Sequence, residues 1–206
     1  MITDTPLKAS TAGYFRQQEQ TGSDVTTVQR HNAMNHFLAS VEKKAFRMAD
    51  IATRNRDDAL EIVQETMLGL QRYIERPETE WKPLFYSILQ RRINDWRRHN
   101  MVRSKVIAAV QWLKGTHEAT DPIDTAQAQT SCQPLQRLEG ELSTHAIINA
   151  LKSLPARQQQ AFMLRGWEGF SIKETASIMG CSEGSIKTHY SRAVHSMRGQ
   201  LEAFKP

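Results

Sequence analysis

From Phe37 to Trp96 the apolar residues return every three or four positions, and that spacing decides which folds are open to the chain. Phe37, Leu38, Val41, Ala45, Met48 and Ala52 make one stripe, and Leu60, Val63, Met67, Leu70 and Ile74 a second. Leu84, Phe85, Ile88, Leu89, Ile93 and Trp96 make a third. Steps of three and four keep side chains on one side of an α-helix, whereas a half-buried strand needs strict alternation. No segment alternates in that way, so the expected fold is all-α. Asn55, Arg56 and Asp57 separate the first two stripes, and Asp57 or Asp58 can cap the second helix. "ERPETE" at 75–80 is a loop, and the third helix is expected to start near Trp81 and Pro83.

The rest of the chain divides by composition. Residues 1–28 are polar and without period, and read as a mobile tail. Residues 29–103 form one three-helix unit. Residues 104–139 read as a linker, because "GTHEATDPIDTAQAQTSCQP" is polar with two prolines, although "VIAAVQWLK" in front of it can form a short helix. Residues 140–206 make a second, four-helix unit. Its first helices fall at Leu142–Leu154 and Pro155–Arg165, and "GWEGF" turns the chain into the last two. The expectation is two small helical domains on a flexible linker.

That last pair is the most explicit feature. Ser171 with Glu174 three residues on is a capping box, and Ile172, Ala176 and Met179 give the helix behind it one apolar side. Gly180 ends it, and Ser182 can cap a second helix with inward Ile186, Tyr190, Ala193, Val194 and Met197. Two short helices across a tight glycine-containing turn make a helix-turn-helix, whose second helix enters the DNA major groove. Ser182, Glu183, Ser185, Lys187, Thr188, His189 and Arg192 lie on its outer side as candidate DNA contacts. An ordinary helical hairpin with a solvated face has the same outline. The small residues at 184 and 185 and the basic outer face favour DNA.

Charge supports this. The chain carries +5 at neutral pH with a pI near 9.4. The net charge is −1 over 1–71, +4 over 72–103, −2 over 104–143 and +4 over 144–206. Two basic blocks separated by a weakly acidic stretch fit two DNA-contacting units. In the first block Arg91, Arg92, Arg97, Arg98 and Arg103 cluster near Trp81, Phe85, Tyr86 and Trp96. Cations beside aromatic rings suit single-stranded or melted nucleic acid. Phe85 and Trp96 read as core residues, while Trp81 and Tyr86 are open to either role. On the second helix Asp58, Glu61, Gln64 and Glu65 form an acidic side, either simply solvated or a docking surface for a basic protein.

Other chemistries lack support. Two cysteines without a CxxC argue against a disulfide framework or a zinc site. No glycine loop for phosphate and no nucleophile–base set is present, so no enzyme, metal or cofactor is expected. No run approaches the ~20 apolar residues that span a membrane. No basic-then-apolar leader opens the chain. The expected location is the cytoplasm, without membrane insertion.

Three blocks carry a resemblance to a known family. "DALEIVQETML" at 58–68 resembles D-A-x-D-x-x-Q-E-T-F-L, and "LFYSILQRRINDWRR" at 84–98 resembles W-L-Y-x-I-A-x-N-x-x-x-D-x-x-R-R. The run from Leu154 to Leu201 is similar to the family's helix-turn-helix block. The family is the extracytoplasmic-function group of bacterial RNA polymerase sigma factors. The resemblance implies a factor that binds core polymerase, directs it to promoters and assists their opening. It implies that Asp58, Glu61, Gln64 and Glu65 dock on the clamp helices of the polymerase largest subunit. It puts Trp81, Tyr86, Arg91, Arg92, Arg97 and Arg98 at the opened −10 element. The outer face of the last helix then reads the −35 element, and an anti-sigma factor is a further partner to consider. Arg91 where the family usually has Asn, and His189 where it often has Arg, bear on promoter preference more than on the role. A stand-alone helix-turn-helix regulator is the alternative. It accounts for 155–200 but leaves the 58–68 and 81–98 faces idle.

Overall fold

The structure is a computed structural model that describes residues 11–113 and 136–202, with side chains described over 27–103 and 144–202. Among these residues every regular element is helical. Helices α1 (Thr11–Thr53), α2 (Arg56–Gln71) and α3 (Glu78–Leu113) build the N-terminal unit. Helices α4 (Gln136–Ser153), α5 (Ala156–Phe162), α6 (Ile172–Met179) and α7 (Glu183–Glu202) build the C-terminal unit, with a π-helical turn at Met163–Trp167 after α5. None of the described helices is long and apolar enough to cross a membrane.

The helix ends show which local signals acted. Helix α1 reaches back to Thr11, into the segment expected as a tail. That segment has no apolar stripe to announce it, but lengthening an existing helix avoids the cost of nucleating one. At its other end Arg54 takes a left-handed conformation (φ 57) and its N–H donates to the Asp50 carbonyl at 2.8 Å. Asn55 then caps α2, its Oδ1 accepting from the N–H groups of Asp57 and Asp58 at 2.9 and 3.1 Å. The cap is therefore Asn55, and the two aspartates fill the first turn, where the positive end of the helix dipole favours them. Helix α3 starts at Glu78, ahead of Trp81, and runs without a break through 104–113. The stretch expected as a short separate helix is thus its continuation.

The stripes of α1 and α3 meet where the spacing put them, but in α2 the buried side includes Ala59 and Ile62, while Leu60, expected in the stripe, is 48% exposed. Met34, Leu38, Val41, Ala45 and Met48 of α1, Ile62, Val63 and Leu70 of α2, and Phe85, Leu89 and Ile93 of α3 are all buried. Phe37 packs 6.0 Å from Trp81 and 6.1 Å from Phe85, centroid to centroid. Burying one such side chain is worth about 1.5–3 kcal/mol, and an aromatic pair adds about 0.5–1.5 kcal/mol. In the C-terminal unit Leu151, Leu154, Ala161, Met163, Leu164, Ile186, Ala193 and Met197 play the same part.

The two units pack directly against each other. Arg97 donates to Gln159 Oε1 at 2.6 Å, Gln160 donates to Asn94 Oδ1 at 2.7 Å, and Arg54 donates to the Lys152 carbonyl at 2.8 Å. Lys152 Nζ lies 3.8 Å from Asp50. The Phe170 ring meets Tyr86 edge-on at 5.3 Å.

Candidate functional site

Helix α7 is placed by the sequence that precedes it. Ser171 Oγ accepts from the Glu174 N–H at 3.2 Å, while the Glu174 carboxylate accepts from the Ser171 N–H at 2.8 Å, closing the expected capping box. These hydrogen bonds hold the Glu174 carboxyl below its ordinary pKa. Gly180 ends α6 with φ 63, a conformation that costs other residues about 1–2 kcal/mol. Ser182 Oγ accepts from the Ser185 N–H at 3.2 Å and starts α7. Ile186, Ala193 and Met197 turn inward, and Tyr190 stacks on Phe162 at 6.1 Å.

That packing turns the other side of α7 to solvent. Ser182, Glu183, Lys187, Thr188 and Arg192 are exposed, and Ser185 and His189 are half-buried. Some of the hydroxyls are already engaged. Ser182 and Ser185 share a hydrogen bond at 2.9 Å, and Thr188 Oγ1 donates to the Gly184 carbonyl at 3.1 Å. The charged groups Glu183, Lys187 and Arg192 lead the surface.

Glu61 and Gln64 on α2 are exposed, and Asp58 and Glu65 are half-buried. Two exposed leucines, Leu60 and Leu68, flank this acidic side. Glu65 pairs with Arg92 of α3 at 2.8 Å, so the acidic face of α2 and the basic face of α3 share a border. On α3, Arg91, Arg92 and Arg98 are exposed, with Arg98 on Asp95 at 2.9 Å.

Trp81, Tyr86 and Arg97 stand apart from that open surface. Trp81 is 1% exposed and belongs to the core beside Phe37, so it is not available to a base. Tyr86 is wholly buried between Phe85 and Phe170, in the seam between the units. The expectation that both rings meet bases does not hold for this arrangement. One is claimed by its own core and the other by the neighbouring unit. Burial, and then the Glu168 carboxylate beside it, push the Tyr86 phenol well above its ordinary pKa. Arg97 is half-buried on Gln159, and burial and the like charge of Arg157 lower its pKa.

The burial of Glu168 was not expected from the sequence. Its side chain is 1% exposed, with Lys44 at 3.5 Å and Lys82 at 3.6 Å. It follows the π-helical turn, whose wider backbone bond runs from the Glu168 N–H to the Met163 carbonyl at 3.1 Å. "GWEGF" announces a turn by its glycines, and nothing in it announces a buried carboxylate.

The fold and the outward face of α7 define a two-unit, all-helical DNA-binding protein of the helix-turn-helix class. Comparison with known proteins narrows this. The sequence family described as Sigma-70, region 4 matches residues 144–197. The RNA polymerase sigma factor SigV of Bacillus subtilis is 30% identical over 161 residues, covering 76% of this chain and 83% of that protein. The ECF RNA polymerase sigma factor EcfG of Rhodopseudomonas palustris is 30% identical over 141 residues, 68% of each chain. Among solved structures, the sigma factor RpoE in complex with the anti-sigma factor NepR from Bartonella quintana matches with a TM-score of 0.54. It is 24% identical, and the match covers 82% of this chain and 99% of that one. CnrH in complex with the cytosolic domain of CnrY matches at 0.53, with 15% identity over 85% and 91% of the chains. The chain belongs to the RNA polymerase sigma factors of the extracytoplasmic-function group of the sigma-70 family. It binds core RNA polymerase, directs it to specific promoters and assists promoter opening at initiation.

Proposed function

We propose that the chain divides this work among three faces. The acidic side of α2, with Asp58, Glu61, Gln64 and Glu65, docks on the clamp helices of the polymerase largest subunit. The basic side of α3, with Arg91, Arg92, Arg97 and Arg98, holds the backbone of the opened −10 element. The outer side of α7, with Ser182, Glu183, Ser185, Lys187, Thr188, His189 and Arg192, reads the −35 element as duplex. Trp81 has no part in this, and Tyr86 takes part only after the units separate.

The observation that carries the reading is the separation of charge by helix. An acidic exposed side on α2 repels DNA, and the exposed cations of α3 and α7 attract it, so one chain can hold a protein partner and a nucleic acid at once. The factor makes and breaks no bond, and it works in the cytoplasm. An anti-sigma factor that sequesters it is in keeping with the complexes formed by its structural neighbours.

The test is Glu61→Lys in the full chain, measured by titration against core polymerase. A reversed charge at a docking face should weaken binding about tenfold or more, with the thermal unfolding of the free chain unchanged. Unaltered affinity removes α2 as the docking face.

A further inference from the structure

A cleft of about 310 Å³, lined by α1, α4 and the π-helical turn, shares no residue with the three faces. We propose that it is a binding site for a small planar organic anion, an aromatic carboxylate of one or two rings. Its size is at the small end of the range, about 300–1,000 Å³, in which ligand pockets fall. Nothing in the site depends on the polymerase and promoter contacts assigned above.

The walls select a flat, apolar body. Ile147, Ile148 and Leu151 come from α4, and Phe162 and Trp167 from the end of α5 and the π-helical turn. In an ordinary α-helix two residues five apart point about 140° away from each other. The wider turn closes each residue on the fifth one along, as the Glu168 N–H does on the Met163 carbonyl at 3.1 Å. That extra width brings both rings to one cleft, and such turns recur at functional sites. Tyr190 stacks on Phe162 at 6.1 Å and fixes its ring. Two rings and three branched aliphatic side chains suit an aromatic ligand.

The charge selects an anion. Arg47 of α1 is the one charged side chain among the described residues lining the cleft. Its guanidinium lies 6.0 Å from the centre of the Trp167 ring, and no acidic side chain pairs with it among the described residues. Asp50, one turn further along α1, is engaged by Lys152 at 3.8 Å. An unpaired arginine beside an apolar cleft favours a carboxylate, which its planar fork can bind through two parallel hydrogen bonds. One cation suits a single negative charge, whereas a phosphate monoester brings up to about two. Arg47 is exposed, so the carboxylate stays at the solvent edge while the ring enters. Arg47 belongs to the N-terminal unit and the other walls to the C-terminal unit. A bound acid therefore touches both and stabilises their packing by linkage.

The experiment is calorimetric titration of the full chain with naphthoate, beside naphthalenemethanol, which keeps the rings and lacks the charge. The expected result is one-to-one binding of naphthoate with a dissociation constant of about 1 mM or tighter, as suits a ligand of this size. Binding should be about tenfold weaker for the alcohol, and about tenfold weaker for naphthoate on Arg47→Gln. Ile147 is 42% exposed, so Ile147→Trp should fold normally, fill the cleft and abolish binding. Naphthoate should raise the Tm of the parent chain and leave that of Ile147→Trp unchanged. An alcohol bound as tightly as the acid, or full affinity in Arg47→Gln, overturns the assignment to an anion. Binding that survives Ile147→Trp puts the acid elsewhere and overturns the site. No binding by the parent chain at millimolar naphthoate overturns it outright and leaves the cleft to an apolar side chain of a protein partner.

Discussion

In the N-terminal unit Trp81, Phe85, Leu89 and Ile93 of one long helix are buried against α1, and Asn55 provides the side-chain cap that starts α2. In the C-terminal unit α6 has eight residues, and its ends are set by Ser171, Glu174 and Gly180 within three residues of either side. A long helix packed by bulk tolerates a blurred end. A short helix that must aim a second one does not, because a shift of one residue at Gly180 or Ser182 rotates the outer side of α7 by about 100°, one residue's share of a 3.6-residue turn. The two units therefore put their specificity in different places, in core volume for one and in helix termini for the other.

The largest effect should come from the core. Phe85→Ala removes a fully buried ring and should destabilise the N-terminal unit by about 3–5 kcal/mol in denaturant unfolding. A loss below about 1 kcal/mol would end the claim that bulk holds this unit. Gly180→Ala should come next, at about 1–2 kcal/mol, because the left-handed backbone there strains any side chain, although an added Cβ would meet nothing within 4 Å. Promoter binding by the holoenzyme should fall with it, since α7 is re-aimed. Ser171→Ala should cost about 1 kcal/mol.

The smallest effect is one of pH. Glu174 is held below its ordinary pKa, so its contribution is complete above the unfolded value, about 4.3, and fades as pH falls through the lower folded value. Comparing the parent chain with Glu174→Gln should show a stability difference that is constant near neutrality and shrinks in acid. A difference that grows in acid would have the wrong sign for this account.

These differences also explain what the sequence disclosed. The all-helical fold followed from the stripes, and the start and end of α6 followed from Ser171 and Gly180, since both signals are local. The N-terminal half of α1 was hidden because it carries no stripe. Asn55 was passed over because two aspartates follow it at equally suitable positions. For the outer residues of α7, spacing alone gave the solvent side. Tyr86 and Arg97 could not be placed, because what covers them is Phe170 and Gln159, more than sixty residues further along the chain. Glu168 was missed for the same reason, since its lysines come from α1 and α3.

Between the two designs lies the seam, held by the Tyr86–Phe170 contact and by the pairs of Glu168 with Lys44 and Lys82.

Transcription in vitro tests the central claim most directly. Purified chain is combined with sigma-free core polymerase and genomic DNA from its own source, and the new transcript 5′ ends are mapped. The account predicts discrete starts that share −35 and −10 elements and vanish with Glu61→Lys. No starts, with the chain alone binding duplex DNA tightly, would contradict it.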